Sequence, residues 1–238
     1  MKKENKKNKI KILIVSDYPE KAKKLFLKHK KHIYIVKENP DLVVTFGGDG
    51  TFFKSEFFYP NIPKVYLKYS RIGKLAHDKS NEKIILHIIK GEYTIEEKTK
   101  LEIKYKNKKM SAMADVLVHN HNPFTAIRMK VSVDNKLIQN SEIIGDGILI
   151  STQIGSTGYY KSITRSYFES DDQIGLAFNN AIDQVSHIVL KKDRVVKIEI
   201  TRGVADVFAD NQSNKWELDS GDVLEIKASK DKVKLLKF

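Results

Sequence analysis

Residues 42–53, Leu42-Val43-Val44-Thr45-Phe46-Gly47-Gly48-Asp49-Gly50-Thr51-Phe52-Phe53, decide how this chain folds. The apolar run that begins at Leu42 has the composition of a buried strand, and the glycines after it permit a tight turn from strand to helix. Gly47, Gly48 and Gly50 also let backbone N–H groups approach phosphate oxygens with no side chain in the way. Asp49 needs a separate reason, because a carboxylate repels phosphate. It either holds a divalent cation or takes a proton from a hydroxyl about to attack phosphorus.

The flanking sequence repeats the alternation of strand and helix. Ile10 to Val15 is a short β-branched run, and Glu20 to Lys31 has helical spacing with Ala22, Leu25 and Phe26 on one side. Ile33 to Val36 reads as a further strand, and the turn Pro60-Asn61-Ile62-Pro63 precedes another at Val65 to Leu67. Such alternation implies a parallel sheet, in which ligands bind beyond the carboxyl ends of the strands, where the glycine turn falls.

Glu82 to Ile89 reads as a helix stopped by Gly91, and the texture then changes to alternating apolar and polar residues, which places a domain boundary near residue 92. The segments 101–105, 126–133, 147–151, 195–201, 204–209 and 223–228 fit half-buried strands of a mostly antiparallel region. Asp134-Asn135-Lys136 and Asp219-Ser220-Gly221-Asp222 supply turns.

Composition narrows the partners. The 238 residues fit one large or two small domains, and 41% hydrophobic content suffices for a core. With no Cys there are neither disulfides nor thiolate metal sites. No apolar run approaches the roughly 18 residues of a membrane span, and no signal-peptide apolar region follows the basic start, so a cytoplasmic protein without a membrane partner is expected. The net charge of +13 is mostly lysine, clustered at 2–11, 21–31 and 104–109 with no nucleic-acid motif beside it. That pattern fits a basic surface attractive to anionic nucleotides, and nucleic acid is not expected as a partner. The Lys/Asn run at the N-terminus is expected to be disordered.

A second constellation lies at 145–159, where an acidic glycine turn (Gly145-Asp146-Gly147), a strand and a Gly-Ser-Thr-Gly loop run together into Tyr159. Small hydroxyl residues between glycines suit sugar hydroxyls and phosphates, and Tyr159 offers a flat face to a base.

Together the two constellations resemble the NAD kinase family, which carries a GGDGT motif early and a DGxxxSTPxGSTAY motif later; here they read GGDGT at 47–51 and DGILISTQIGSTGY at 146–159. Gly91-Glu92-Tyr93, Ala209-Asp210-Asn211-Gln212 and Gly221-Asp222 extend the likeness over most of the chain. GGDGT is shared with diacylglycerol and sphingosine kinases, whereas the second motif is particular to NAD kinases. The resemblance implies a Rossmann-like parallel α/β domain at 1–92, a β-rich, sandwich-like domain at 93–238, and a site between them. It implies transfer of the terminal phosphate of ATP, or of polyphosphate, to the 2′-hydroxyl of the adenosine ribose of NAD, with a divalent ion such as Mg²⁺ at the donor phosphates. By position, Asp49 is then the general base, and Gly47, Gly48, Gly50 and Thr51 line the phosphate channel. Contacts to NAD fall to Asp49, Gly50, Asn120, His121, Asp146, Thr157, Gly158, Tyr159, Tyr160, Lys161, Ser162 and Asp210, and a homodimer or homotetramer is implied.

The chain departs from the family pattern near the expected ligand. The family's Asn-Glu is read as Asn120-His121, its STP as Ser151-Thr152-Gln153, and its GSTAY as GSTGY with Gly158. Lys68 and Lys74 replace an amide and an aromatic in the stretch 66–74. Because the sequence ends at Phe238 soon after its last expected strand, the tail that many members fold back onto the first domain is expected to be missing. His119 and His121 alternate along a strand with no carboxylate linked to them by spacing, so a surface or nucleotide-contacting role is expected. Asp171-Asp172 reads as an exposed acidic loop, Trp216 as a packing residue and Asp206 as facing solvent. The alternatives are a lipid kinase of the wider superfamily and a catalytically inactive NAD(P)-binding sensor.

Overall fold

The computed structural model describes residues 9–69, 79–183, 185–210 and 212–238, so Lys74, Asn211 and the first eight residues lie outside it. The chain divides into two units, Met1–Glu97 with Val233–Phe238, and Lys98–Lys232. It is an α/β fold followed by an all-β one.

In the first unit, β1 (Ile10–Val15), α1 (Pro19–Phe26), β2 (Ile33–Ile35), β3 (Leu42–Gly47), α2 (Asp49–Phe58), β4 (Lys64–Lys68) and α3 (Asn81–Lys90) follow in order. The strands are parallel and lie in the order β4-β3-β1-β2, with Ile12 opposite Leu42 and Phe46 opposite Leu67. All six residues of β3 are buried, as its continuous apolar sequence requires of a strand covered on both faces. Its core joins Ile12, Val44, Phe46, Val65 and Leu67 to Phe26 of α1 and to Ile84, Ile85 and Ile88 of α3. Pro19 opens α1, a place where its missing N–H costs nothing. This helix is shorter than the spacing suggests, because Leu27–His29 tighten into a 3₁₀ turn at its end. α3 is capped by the Ser80 side chain and ends on Gly91 in the left-handed conformation (φ 74°).

The remaining strands are β5 (Thr94–Tyr105), β6 (Lys108–Ala112), β7 (Asp115–Asn120), β8 (Ile127–Val133), β9 (Lys136–Leu137), β10 (Ile143–Gly145) and β11 (Gly147–Ser151). After α4 (Tyr159–Thr164) come β12 (Gln173–Asn179), β13 (Ile188–Lys191), β14 (Val196–Arg202), β15 (Ala205–Ala209), β16 (Trp216–Leu218) and β17 (Val223–Lys237). One antiparallel sheet of the second unit runs β10-β8-β14-β17, with β5, β6 and β9 attached, and the other runs β13-β12-β11-β7-β15-β16. Their inner faces share one core, with Leu101, Met129, Ile198 and Ile226 from the first sheet and Val116, Val118, Ile150 and Val207 from the second. This is a β-sandwich.

The expectation that no tail returns to the first domain is corrected. β17 continues well past Ala228, residues 233–238 belong to the first unit, Leu235 pairs with Lys64, and Leu236 enters that unit's core. The apolar pair Leu235-Leu236 supplies the physical reason, since it gains burial by extending the strand.

Candidate active site

β3 delivers Gly47 at the carboxyl end of the parallel sheet, Gly48 stands at the helix N-cap, and Asp49 opens α2. A carboxylate in the first turn of a ten-residue helix is favoured by the unpaired N–H groups there. Three contacts fix the turn. The Thr51 hydroxyl donates to Asp17 Oδ2 (2.9 Å), just beyond β1, and the Tyr66 hydroxyl of β4 donates to the Gly47 carbonyl (2.9 Å). Ser16 Oγ donates to the Phe46 carbonyl (2.6 Å). A Cβ on Gly47 would lie 2.5 Å from Thr51 Oγ1, so the turn closes only over glycine, whereas one on Gly48 would meet nothing within 4 Å. Burial, with the nearby charge of Asp49, pushes the Tyr66 phenol up to about 12, so it stays a donor at any working pH. Lys68 is exposed at the end of β4, its backbone gripped by the Asn81 amide.

The second unit gathers another set around Asp146, between β10 and β11. The Asn120 backbone N–H donates to the Asp146 carbonyl (2.7 Å), its side-chain amide reaches Asp146 Oδ1 (3.4 Å), and Asn180 Nδ2 donates to Oδ2 (2.6 Å). Asn179 pairs with Gly147 across β11 and β12 and donates from its side chain to the Tyr159 hydroxyl (3.2 Å). Asn120, Asp146 and Tyr159 are thus joined through residues that sequence reading did not single out, Asn179 and Asn180. Gly147 has φ 153°, and a Cβ there would fall 1.9 Å from the Val118 carbonyl oxygen, so no other residue fits.

The Gly-Ser-Thr loop is a 3₁₀ turn, Gly155–Thr157, that leads through Gly158 into α4. Thr152 Oγ1 donates to the Met113 carbonyl (2.7 Å), and Ser156 Oγ donates to those of Gln153 and Phe168. Tyr159 is 40% exposed, whereas Tyr160 is fully buried against Leu149, Phe168 and Ala177. The successive tyrosines therefore point apart, and Tyr160 packs the sheet with no surface left for a ligand. Lys161 lies over the Tyr167 ring, and Ser162 Oγ donates to the Tyr159 carbonyl.

Asp210 organises backbone. Its carboxylate accepts from the N–H groups of Met113 (2.8 Å), Ala114 (2.7 Å) and Asp115 (3.1 Å), the segment to which Thr152 is tied. Burial pushes Asp210 up against the pull of these donors. Its neighbour Asp115, absent from the sequence reading, has a buried Oδ1 beside Gly155 and is pushed up to about 7, by burial first and by the charge of Asp210, with Ser151 drawing it down.

Asp206 corrects an expectation, because it is only 6% exposed and does not face solvent. It meets His121 and Lys215, so the ring of His121 turns along the sheet toward β15 and β16 while the neighbouring Asn120 meets Asp146. Burial would raise Asp206, but hydrogen bonds from Lys215 and His121 hold it below the usual carboxylate range. The acidic loop is partnered as well: Asp171 accepts from the Thr99 N–H and hydroxyl, and Asp172 pairs with Lys192 (2.6 Å).

The first unit thus carries a glycine-aspartate turn at its strand ends, and the sandwich carries an aspartate–asparagine cluster and a hydroxyl-rich loop. Residues 113–238 match the family model for the ATP-NAD kinase C-terminal domain. An NAD kinase of Caldicellulosiruptor saccharolyticus is 31% identical over 220 residues, 89% of this chain and 82% of that protein. One of Sulfurisphaera tokodaii is 30% identical over 217 residues, covering 86% and 84%. The chain belongs to the NAD kinase family. Among solved structures, the Archaeoglobus fulgidus NAD kinase in complex with ATP superposes with a TM-score of 0.78 at 19% identity, covering 96% of this chain and 94% of that one. Yeast NADH kinase complexed with NADH gives 0.79, also at 19%, covering 97% and 84%; at this identity both establish the shared fold.

Proposed function

We propose that this chain transfers the terminal phosphate of ATP to the 2′-hydroxyl of the adenosine ribose of NAD, with Asp49 as general base. The observation that carries the reading is the place of Asp49, which opens α2 directly after a glycine turn at the ends of parallel strands. The ribose oxygen attacks the γ-phosphorus, its proton passes to Asp49, and ADP leaves with the bridging oxygen's electron pair. Gly47, Gly48, Gly50 and Thr51 line the donor phosphates. NAD is held through Asn120, Asp146, Thr157, Gly158 and Tyr159, with Lys161 and Ser162 beside them. Tyr160 and Asp210 support this set from behind, as packing and as an anchor for 113–115. A divalent cation such as Mg²⁺ would neutralise charge on the donor phosphates.

The relatives favour this over the lipid-kinase alternative, since those compared carry NAD kinase names. The test supplies purified chain with Mg²⁺, ATP and NAD in one arm and diacylglycerol or sphingosine in another, with polyphosphate replacing ATP in parallel. NADP formed with ATP supports the reading, and phosphorylated lipid without NADP refutes it.

A further inference from the structure

His121, Asp206 and Glu217 come from three neighbouring strands or their ends and bring one ligand atom each to within 4.8 Å of one another. Sequence spacing shows no carboxylate near His121, because its partners lie 85 and 96 residues further on; the sheet brings them together. Asp206 pairs with His119 on β7 and with Glu217 on β16, so the His121 side chain is its diagonal neighbour on the same face. His121 Nδ1 stands 3.2 Å from Asp206 Oδ1 and 3.5 Å from Glu217 Oε2. These separations match the edge of about 3.3 Å between ligands of a tetrahedral ion with bonds near 2.05 Å.

Two further observations single this group out from an ordinary surface ion pair. Asp206 and Glu217 face each other directly across the ladder, so both carboxylates share the sheet face that carries His121. Lys215 Nζ takes Asp206 Oδ2 (2.7 Å), which orients the buried carboxylate and leaves Oδ1 on His121. A ligating carboxylate held through its second oxygen is the usual outer-shell arrangement of a metal site. Among the described residues, this is the one group of three such ligands.

We propose that His121 Nδ1, Asp206 Oδ1 and a Glu217 carboxylate oxygen form a binding site for a divalent transition-metal cation of the Zn²⁺ class, with water at the fourth position. Imidazole and two carboxylates suit a borderline ion, and the nitrogen ligand disfavours Mg²⁺. The ion ties the three-residue edge strand β16 to the end of β7 beside Asn120. The site is independent of the phosphate chemistry proposed for Asp49.

The test is calorimetric titration of the full chain with Zn²⁺ in the presence of excess Mg²⁺, repeated with Co²⁺ to read its visible absorption. His121→Ala and Glu217→Gln alter exposed side chains, so folding should survive, and His119→Ala on the same face is the control. The expected result is one Zn²⁺ per chain, at least about 10-fold weaker binding in both variants, unchanged binding in the control, and a tetrahedral Co²⁺ spectrum. Absence of stoichiometric binding, or parent affinity in His121→Ala and Glu217→Gln, would overturn the site.

Discussion

The Tyr66 hydroxyl donates to the Gly47 carbonyl at 2.9 Å, and so a buried residue of β4 holds the peptide two residues before Asp49. Tyr66→Phe removes that donor and keeps the ring on Phe52. A loss of about 1–3 kcal/mol in urea unfolding is expected. With the base loosened, kcat should fall about 10-fold while the KM for NAD stays near the parent value. Parent stability and parent kcat would remove Tyr66 from the support of the turn.

Gly147 and Gly48 separate folding from function. Gly147→Ala places a methyl 1.9 Å from the Val118 carbonyl oxygen at φ 153°, and a loss of at least about 3 kcal/mol, or failure to fold, is expected. Gly48→Ala meets nothing in the protein, so its unfolding free energy should stay within about 0.5 kcal/mol of the parent. Its activity should nevertheless collapse, because the methyl projects where donor phosphate is proposed to bind. Full activity in Gly48→Ala would place the phosphates elsewhere.

Asp115 sets a pH dependence of stability. Its folded-state pKa is raised to about 7, chiefly by burial, above its ordinary value of 3.8. The stabilisation is therefore full below that ordinary value and is lost as pH rises through about 7. Unfolding free energy should drop by roughly 3–4 kcal/mol between about pH 4 and pH 8, and Asp115→Asn should flatten that slope. Equal slopes in parent and variant, measured by denaturant titration across the window, would contradict the assignment.

Tyr159 is half exposed and braced by Asn179, as a platform for a base should be. Tyr159→Ala should raise the KM for NAD about 10-fold with little change in kcat, because one aromatic–base stack contributes about 1–3 kcal/mol. An unchanged KM would take the base off this ring.

Much of this architecture is legible in the sequence because it rests on local signals. The strand β1 appears over the residues its apolar run marks, and Gly91 ends α3 in the left-handed conformation that glycine permits. The turn at 47–51 and the strand at 147–151 likewise follow from residues that sit together in the chain. What was hidden depends on pairing between distant strands. Nothing near Asp206 announces His121, and nothing near Asp210 announces the N–H groups of 113–115, because each contact spans about ninety residues. Tyr159 and Tyr160 look equivalent as letters, and only the packing of α4 on β11 and β12 separates the exposed ring from the buried one. Strands β12 and β13 lack a distinctive alternation, and the return of β17 depends on the apolar pair 235–236, too short to read alone.

The most direct measurement is NADP formation from NAD, ATP and Mg²⁺ by the purified chain, with Asp49→Asn beside it. The variant should fold as the parent does and lose kcat by about 100-fold or more, in keeping with removal of a general base. Turnover of Asp49→Asn at the parent rate would contradict the role given to Asp49, and no NADP from the folded parent would contradict the activity itself.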